Sequence, residues 1–296
     1  MNNNNDSTLL GLHTLFDQLN ENEKTLVKEC WSAAENAYTP LSHFPVGSAI
    51  LAENTQGERK VFTGCNVENR FFGPTICAER NAATTAVAQG YRRFLAISLV
   101  LKNYHGPGAS PCGLCRQVLS EFGTDAVVLQ VADKESNVQR YTVADLLPAA
   151  GEKAIPYEDL SPELKRAVKR LGKLHSRIYA PYSKVGRSAV FLATNQDGKR
   201  NRFDGITDEN ASFGGTAEAA LVAMRSARAA GYARDVTLVI ECDDTLAGNP
   251  VEGECLQVLR EFGLEARALL VDSSQRLVLT TVAQLLPDSF GPQGLL

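Results

Sequence analysis

The chain of 296 residues contains one unit twice, and this duplication constrains its fold more than any other feature. The segment 117–123 (QVLSEFG) returns at 257–263 (QVLREFG), and 142–148 (TVADLLP) returns at 281–287 (TVAQLLP). Corresponding segments are 139 to 141 residues apart, so only short insertions distinguish the copies. A period this long indicates a duplicated domain, because solenoid repeats are only about 20–50 residues long.

A polar stretch punctuated by Gly151 and Pro156 separates the two copies. Patterns typical of strands alternate with patterns typical of helices in the first copy, which predicts a layered α/β domain. The expected fold class is therefore α/β, with two tandem layered α/β/α domains. The expected divisions are a polar N-terminal tail and lead-in over 1–21, a catalytic domain over 22–150, a linker over 151–161 and a second domain over 162–296.

Charge and hydropathy exclude several classes of function. With 44% hydrophobic and 22% charged residues the chain has the composition of a folded globular protein. Its net charge of −4 does not favour nucleic acid as a partner. Its apolar runs are too short to span a membrane. Met1–Asp6 lacks the apolar core and basic residues of a leader, so a cytoplasmic location is expected.

Two segments of the first copy carry the chemistry, 75–80 (TICAER) and 110–116 (SPCGLCR). Both place cysteines near the start of a predicted helix, where the backbone N–H groups favour the thiolate. The three thiolates of Cys77, Cys112 and Cys115 suit a tetrahedral zinc ion with a fourth position open to water. Such an ion would supply hydroxide near neutral pH. Three other cysteines are interpreted as small packing residues, namely Cys30, Cys65 and Cys242.

Charged residues beside these cysteines complete the predicted centre. Glu79 lies two residues after Cys77 and can reach the open zinc position as a proton carrier. Arg80 and Arg116 directly follow key residues and could donate hydrogen bonds to the sulfurs, offsetting the negative charge of three thiolates. The alternative for both arginines is a solvated helix surface.

Cys-Ala-Glu followed by Pro-Cys-x-x-Cys resembles the signature of the zinc-dependent deaminases in its three-cysteine form. The segments 38–47, with Tyr-Thr-Pro at its start, and 64–69 (GCNVEN) resemble the free-nucleoside cytidine deaminase family in particular. The resemblance extends from about Ala33 to Pro148.

The resemblance assigns roles to individual residues. It implies that Cys77, Cys112 and Cys115 bind zinc and that Glu79 shuttles protons while contacting the cytosine N3 and amino group. It also implies a substrate-binding set in which Asn66 and Glu68 hold the ribose 3′-hydroxyl, Phe44 packs against the pyrimidine, and Ala78 takes part. An amide and a carboxylate at alternate strand positions point to one face, as such binding requires. The alternatives are a core position for Phe44 and a turn-capping role for Asn66.

The second copy has lost most of the metal ligands. Aligned by sequence, Cys77 corresponds to Thr216 and Cys112 to Glu252, while Cys115 is retained as Cys255. The same alignment pairs Glu79 with Glu218, Arg80 with Ala219 and Asn66 with Thr207, and it leaves Phe44 in a gap beside Lys184. One thiolate cannot hold zinc in a catalytic geometry, so the sequence predicts one zinc ion per chain, in the first domain only. The sequence leaves open whether Glu218 and Glu252 help to bind some other ion.

The end of the second copy resembles a functional segment of the family. Residues 285–292 (LLPDSFGP) are similar to the C-terminal segment of single-domain members, whose Phe reaches a neighbouring active site. Phe290 is therefore expected to form a wall of the pocket, within its own chain or across a dimer. The alternative is that Phe290 only packs the C-terminus against the domain.

The resemblance implies a hydrolase of pyrimidine salvage that converts cytidine and deoxycytidine to uridine and deoxyuridine. It also implies a homodimer that forms a four-domain pseudo-tetramer. Three alternatives stay open: an editing deaminase acting on single-stranded nucleic acid, a zinc-bound scaffold without activity, and a deaminase of a cytosine-containing antibiotic nucleoside. The acidic charge and the expected 3′-hydroxyl contact argue against the first.

Overall fold

The computed structural model describes residues 12–14, 16–102, 110–131, 138–149, 153–242 and 250–291. The chain forms two compact units, residues 1–147 with 287–296, and residues 148–286. The expected fold class is confirmed, because each unit packs helices on a mixed sheet. The second unit begins at Pro148, earlier than the expected division, and the chain from Pro287 onward belongs to the first unit.

The first unit is a six-stranded sheet with the strand order β1-β6-β5-β4-β2-β3. Strands β2 and β3 form the antiparallel hairpin that the sequence predicts, and β4 pairs with β5 in parallel. The strands are β1 Leu12–Thr14, β2 Val46–Glu53, β3 Arg59–Cys65, β4 Arg93–Leu101, β5 Val127–Val131 and β6 Val138–Thr142. The helices are α1 Glu21–Ala34, α2 Ala78–Ala88, α3 Gly113–Ser120 and α4 Val143–Leu146, with a 3₁₀ turn at Phe16–Gln18.

Alternation of side chains along the central strands creates two buried layers. On β2, Ile50 and Ala52 pack with α2, α3 and α4, whereas Ala49 packs on the opposite face with α1. Successive strand residues point to opposite faces of a sheet, so the consecutive apolar residues from Ala49 to Ala52 fill both layers. The metal-binding helices α2 and α3 therefore share one face of the sheet.

The second unit repeats this architecture in the strand order β11-β10-β9-β7-β8, and its described residues form no strand that corresponds to β1. Its strands are β7 Ser188–Asn195, β8 Arg200–Ile206, β9 Tyr232–Glu241, β10 Arg267–Val271 and β11 Leu277–Thr281. Its helices are α5 Pro162–His175, α6 Ala219–Ala229, α7 Gly253–Arg260 and α8 Val282–Leu285, with 3₁₀ turns at Tyr157–Asp159 and Phe213–Gly215. No helix in the described part of the chain is long and apolar enough to cross a membrane.

Backbone pairing shows which residues of the two copies correspond. Around the start of α2, corresponding residues are 141 positions apart in the sequence. Val67 bridges Tyr38 and Ile76, and Asp208 bridges Tyr179 and Ala217 in the same way. The close helix–sheet contact gives the same correspondence. A Cβ on Gly64 would lie 2.4 Å from the Ala82 nitrogen, and one on Gly205 would lie 2.9 Å from the Ala223 nitrogen.

This correspondence corrects the alignment made from the sequence, which was wrong by two residues at the start of α6. Cys77 and Glu218 are the N-cap residues of α2 and α6, so Glu218 replaces Cys77 and not Glu79. At the same separation Thr216 matches Thr75, and Ala220 stands where the first copy has Glu79. Likewise Leu221 matches Arg80, and Val185 matches Phe44, so no gap falls at that position.

Candidate metal centre and substrate cavity

Three cysteine sulfurs meet where α2 and α3 begin. Cys77 and Cys112 are the N-cap residues of these helices, and Cys115 lies on the first turn of α3. The Sγ atoms of Cys77 and Cys112 are 3.9 Å apart, and those of Cys112 and Cys115 are 3.3 Å apart. All seven cysteines of the chain are free thiols. Among the described residues, this is the one set of three Cys, His, Asp or Glu ligand atoms within 4.8 Å of one another.

The cluster fits a zinc ion. Tetrahedral coordination at a Zn–S distance of about 2.3 Å places neighbouring sulfurs about 3.8 Å apart. The Cys77–Cys112 spacing of 3.9 Å matches that value. Hydrogen bonds from the Cys112 and Cys115 thiols and the positive charge of Arg80 lower the pKa of Cys77, so this one cysteine is favoured as the thiolate. The pKa values of Cys112 and Cys115 are raised instead. The backbone N–H of Cys115 also donates to Cys112 Sγ, at 3.4 Å.

Glu79 lies on the first turn of α2 and is buried, with 3% of its surface exposed. Burial raises the pKa of Glu79 to about 7, and the negative charge of Cys77 adds to the rise. The carboxyl lines the same cavity as Cys77 and Cys112. The structure therefore puts a carboxyl group that is not one of the clustered ligands beside the metal centre.

The two arginines have different surroundings. Arg80 Nη2 donates to the Thr75 carbonyl at 2.9 Å and lies 4.0 Å from Cys77 Sγ, where the sequence analysis expected it. Arg116 is fully buried, and burial lowers its pKa to about 10. It donates to the carbonyl oxygens of Pro111, at 2.7 Å, and Pro287, at 2.6 Å.

Arg116 also donates to the Leu146 carbonyl and to the Ser110 hydroxyl. Its hydrogen bonds therefore go to oxygen atoms rather than to the cysteine sulfurs. The expected contacts with the sulfurs are not among them, and two of the four acceptors, the Leu146 and Pro287 carbonyls, are brought close only by the tertiary fold. The buried Arg116 therefore links three segments by hydrogen bonds: the loop before Cys112, the end of α4 and the C-terminal segment.

A cavity of about 200 Å³ opens beside the cysteines. Most of the residues expected to contact substrate line it, namely Phe44, Asn66, Ala78, Glu79 and Phe290. Phe44 lines the cavity and also packs against the buried core. Its place is therefore compatible both with contact to a pyrimidine and with a core position.

Asn66 lines this cavity, whereas Glu68 does not and instead binds the backbone of Ser42, which does. Asn66 Oδ1 accepts from the Val46 N–H at 2.8 Å, and its amide donates to the Phe44 carbonyl at 2.9 Å. Glu68 accepts from the N–H groups of Leu41, at 2.9 Å, and Ser42, at 3.3 Å. Burial raises the pKa of Glu68, but these hydrogen bonds outweigh it and the net pKa is lowered. Asn66 therefore has the turn-capping contacts considered from the sequence, while it also faces the cavity.

The C-terminal segment is held at the first site by its backbone. Ser110 Oγ donates to the Asp288 carbonyl at 2.5 Å, beside the hydrogen bond from Arg116 to Pro287. Two residues later the side chain of Phe290 lines the cavity of its own chain. The buried Tyr141 lies beside the Asp288 carboxylate. Sequence patterns do not indicate the roles of Ser110, Tyr141 and Asp288, because their contacts with one another join residues far apart in the chain.

Residues 20–131 match the family described as the cytidine and deoxycytidylate deaminase zinc-binding region. A cytidine deaminase of Sporosarcina psychrophila is 43% identical over 136 residues, which are 46% of this chain and 93% of that protein. The chain belongs to the cytidine deaminase family. The matched region contains the three clustered cysteines and Glu79.

Other cytidine deaminases extend the comparison. One of Photobacterium profundum is 29% identical over 229 residues, which are 73% of this chain and 72% of that protein. The crystal structure of a cytidine deaminase from Burkholderia pseudomallei shares 41% sequence identity with a TM-score of 0.37. That likeness covers 43% of this chain and 98% of the solved one.

The second deaminase-like unit has an ion pair near the position of the metal centre. The N-cap residues of α6 and α7 are Glu218 and Glu252, which match Cys77 and Cys112. Arg187 Nη1 lies 2.8 Å from a Glu252 carboxylate oxygen. Burial raises the pKa of Glu218, and the charge of Glu252 adds to the rise. A guanidinium therefore balances part of the negative charge that a metal ion would otherwise neutralise.

Proposed function

We propose that this chain catalyses the hydrolytic deamination of cytidine and deoxycytidine, giving uridine or deoxyuridine and ammonia. The observation that carries the proposal is the meeting of three thiols and a buried non-ligand carboxyl, Glu79, at one cavity. Water supplies the oxygen that replaces the amino group, and the amino nitrogen leaves as ammonia. The similarity to cytidine deaminases supports the choice of substrate.

Cys77, Cys112 and Cys115 hold the zinc ion in this proposal. When bound, zinc supplies a water acidic enough to react near neutral pH. Glu79 would deliver one proton to N3 of the ring and a second to the departing amine. Its place on the first turn of α2, two residues after Cys77, puts its carboxyl at the cavity that Cys77 and Cys112 line.

Five further residues bind the substrate in this proposal. Phe44 and Phe290 form apolar walls for the pyrimidine, which exclude water and hold the ring flat. Glu68 and Asn66 receive the ribose 3′-hydroxyl, and Ala78 lies under the base at the start of α2. The hydrogen bonds of Glu68 to the Leu41 and Ser42 N–H groups keep it ionised and in place for this contact.

We expect one zinc ion per chain. The Arg187–Glu252 ion pair and the absence of a second ligand cluster among the described residues support a metal-free second unit. Arg80 offsets the negative charge of the three thiolates from its position near Cys77. Arg116 supports the same centre indirectly, by holding the loop that carries Cys112.

The proposal extends to the assembly and the setting of the enzyme. Two chains would form a homodimer with four deaminase-like units, and the reaction would serve pyrimidine salvage. Seven free thiols suit a reducing compartment, which supports a cytoplasmic location.

Ammonia release from cytidine, measured together with zinc content, tests the activity. Glu79→Gln should abolish turnover and keep both zinc and fold, because the carboxylate is not a ligand. Glu121→Gln, on an exposed residue of the first unit, is the matched control and should be fully active. Zinc-loaded protein that does not deaminate cytidine, or that prefers an oligonucleotide containing cytosine, would refute the proposal.

A further inference from the structure

The second unit contains a cavity of about 500 Å³ at the position that corresponds to the substrate cavity of the first unit. Ser183, Thr207 and Thr216 line it, and their counterparts Ser42, Asn66 and Thr75 line the first cavity. Small-molecule sites commonly measure about 300–1,000 Å³. The second cavity therefore has the size of a ligand site, although the unit lacks the metal cluster.

The hydrogen-bonded frame of the first cavity is retained here. Glu209 accepts from the N–H groups of Tyr182, at 2.7 Å, and Ser183, at 3.2 Å, as Glu68 does from the matching residues. Thr207 Oγ1 accepts from the Arg187 N–H at 3.0 Å, as Asn66 Oδ1 does from Val46. The carboxylate of Glu209 also lines the cavity. The groups that orient a sugar hydroxyl in the first unit are thus present in the second.

The reactive part of the site has been replaced by groups that bind without reacting. Arg187 stands where the first unit has Val46, and it reaches the Pro250 carbonyl at 3.0 Å as well as Glu252. A planar guanidinium and a carboxylate offer the donors and acceptors that the polar edge of a base requires. Ala220 takes the place of Glu79, so the proton carrier is missing.

Aromatic side chains border this cavity. Tyr182 and Phe213 line it, are 49% and 72% exposed, and place their ring centroids 5.7 Å apart. Such rings can stack on a planar base. The lining carries three carboxylates, Glu209, Glu218 and Glu252, against one guanidinium. This excess of negative charge disfavours a phosphorylated ligand.

We propose that the cavity of the second unit is a separate binding site for an uncharged nucleoside, which it holds through Glu209 without converting it. The inference rests on the proposed function in one respect, the role of Glu68 toward the sugar. Its ligand is a nucleoside rather than a nucleotide, because the lining repels phosphate.

Equilibrium dialysis with labelled cytidine tests the proposal on the full chain carrying Glu79→Gln, in which cytidine should not be consumed. We expect two cytidine sites per chain. Adding Glu209→Gln should weaken one of them by about 10- to 100-fold, the effect of losing a hydrogen bond to a charged group. Adding Glu68→Gln is the matched control and should weaken the other. Phe213→Ser, at an exposed position that does not endanger folding, should also weaken only the second site.

The outcomes separate this inference from the proposed function. A single site that Glu68→Gln removes, and that Glu209→Gln and Phe213→Ser leave intact, would overturn the second site while leaving the deaminase assignment standing. Equal competition by cytidine 5′-monophosphate at the second site would overturn the charge argument for a nucleoside. Failure of the proposed function would show in a different measurement, because the unmodified chain would then release no ammonia from cytidine.

Discussion

Trimming Phe290 to alanine tests whether the C-terminal segment helps to form the substrate cavity. The ring lines the same cavity as Cys77 and Cys112, and it is half-buried against the core of the first unit. Full burial of such a side chain stabilises by about 1.5–3 kcal/mol, so a half-buried ring contributes about 1–2 kcal/mol to holding the pyrimidine. Since about 1.4 kcal/mol corresponds to a factor of ten, kcat/KM for cytidine should fall roughly 5- to 30-fold.

The backbone anchors separate this effect from a loss of structure. Arg116 and Ser110 hold the segment through the carbonyls of Pro287 and Asp288, and neither hydrogen bond uses the Phe290 side chain. Zinc content and the overall fold should therefore stay as in the unmodified chain, while the lost packing against the core should lower the thermal stability. Phe290→Leu, which keeps most of the apolar volume, should recover most of the activity. Unchanged kcat and KM in Phe290→Ala would refute the assigned wall, and loss of zinc would show that the segment stabilises the metal centre instead.

Three further predictions concern the metal and its support. Elemental analysis should find one zinc ion per chain, and two tightly bound ions would contradict the metal-free second unit. Cys112→Ala should lose zinc and turnover because two thiolates bind the ion far more weakly, whereas Cys65→Ala, outside the cluster, should keep both. Arg116→Met should lower the free energy of unfolding by about 3–5 kcal/mol in denaturant titrations, since several buried carbonyls lose their donor. A change below about 1 kcal/mol would contradict the linking role of Arg116.

Much of the first unit could be predicted because its signals are local. Apolar residues follow the strand pattern from Val46 to Glu53, the polar turn before Arg59 indicates a hairpin, and glycine follows the helix at Gly90. The three cysteines were found because their spacing places two of them at helix starts, where the structure has them. Local patterns of this kind need no knowledge of tertiary contacts.

Local sequence identity did not give the correct alignment of the second copy with the first. Ala217-Glu218 repeats the letters of Ala78-Glu79, so a sequence alignment matches these pairs and opens a two-residue shift. The backbone decides otherwise, because the bridge between Asp208 and Ala217 places Glu218 at the N-cap position of α6. Chemically the difference is large. A proton carrier retained at its place would suggest residual chemistry, whereas the structure has a carboxylate in place of a thiolate and alanine at the carrier position.

The C-terminal segment gives a physical reason why a second copy without the metal cluster would be retained. The first copy continues after α4 as Leu147-Pro148-Ala149, which has no aromatic residue to close a pyrimidine cavity. The equivalent continuation after α8 is Leu286-Pro287-Asp288, and it leads to Phe290, which lies in the first unit at its cavity. The buried Arg116 holds both continuations together, because its guanidinium donates to the carbonyl of Leu146 at the end of α4 and to the carbonyl of Pro287 after α8. The wall that Phe290 adds to the first cavity therefore depends on the chain that delivers it, and not on metal ligands in the second unit.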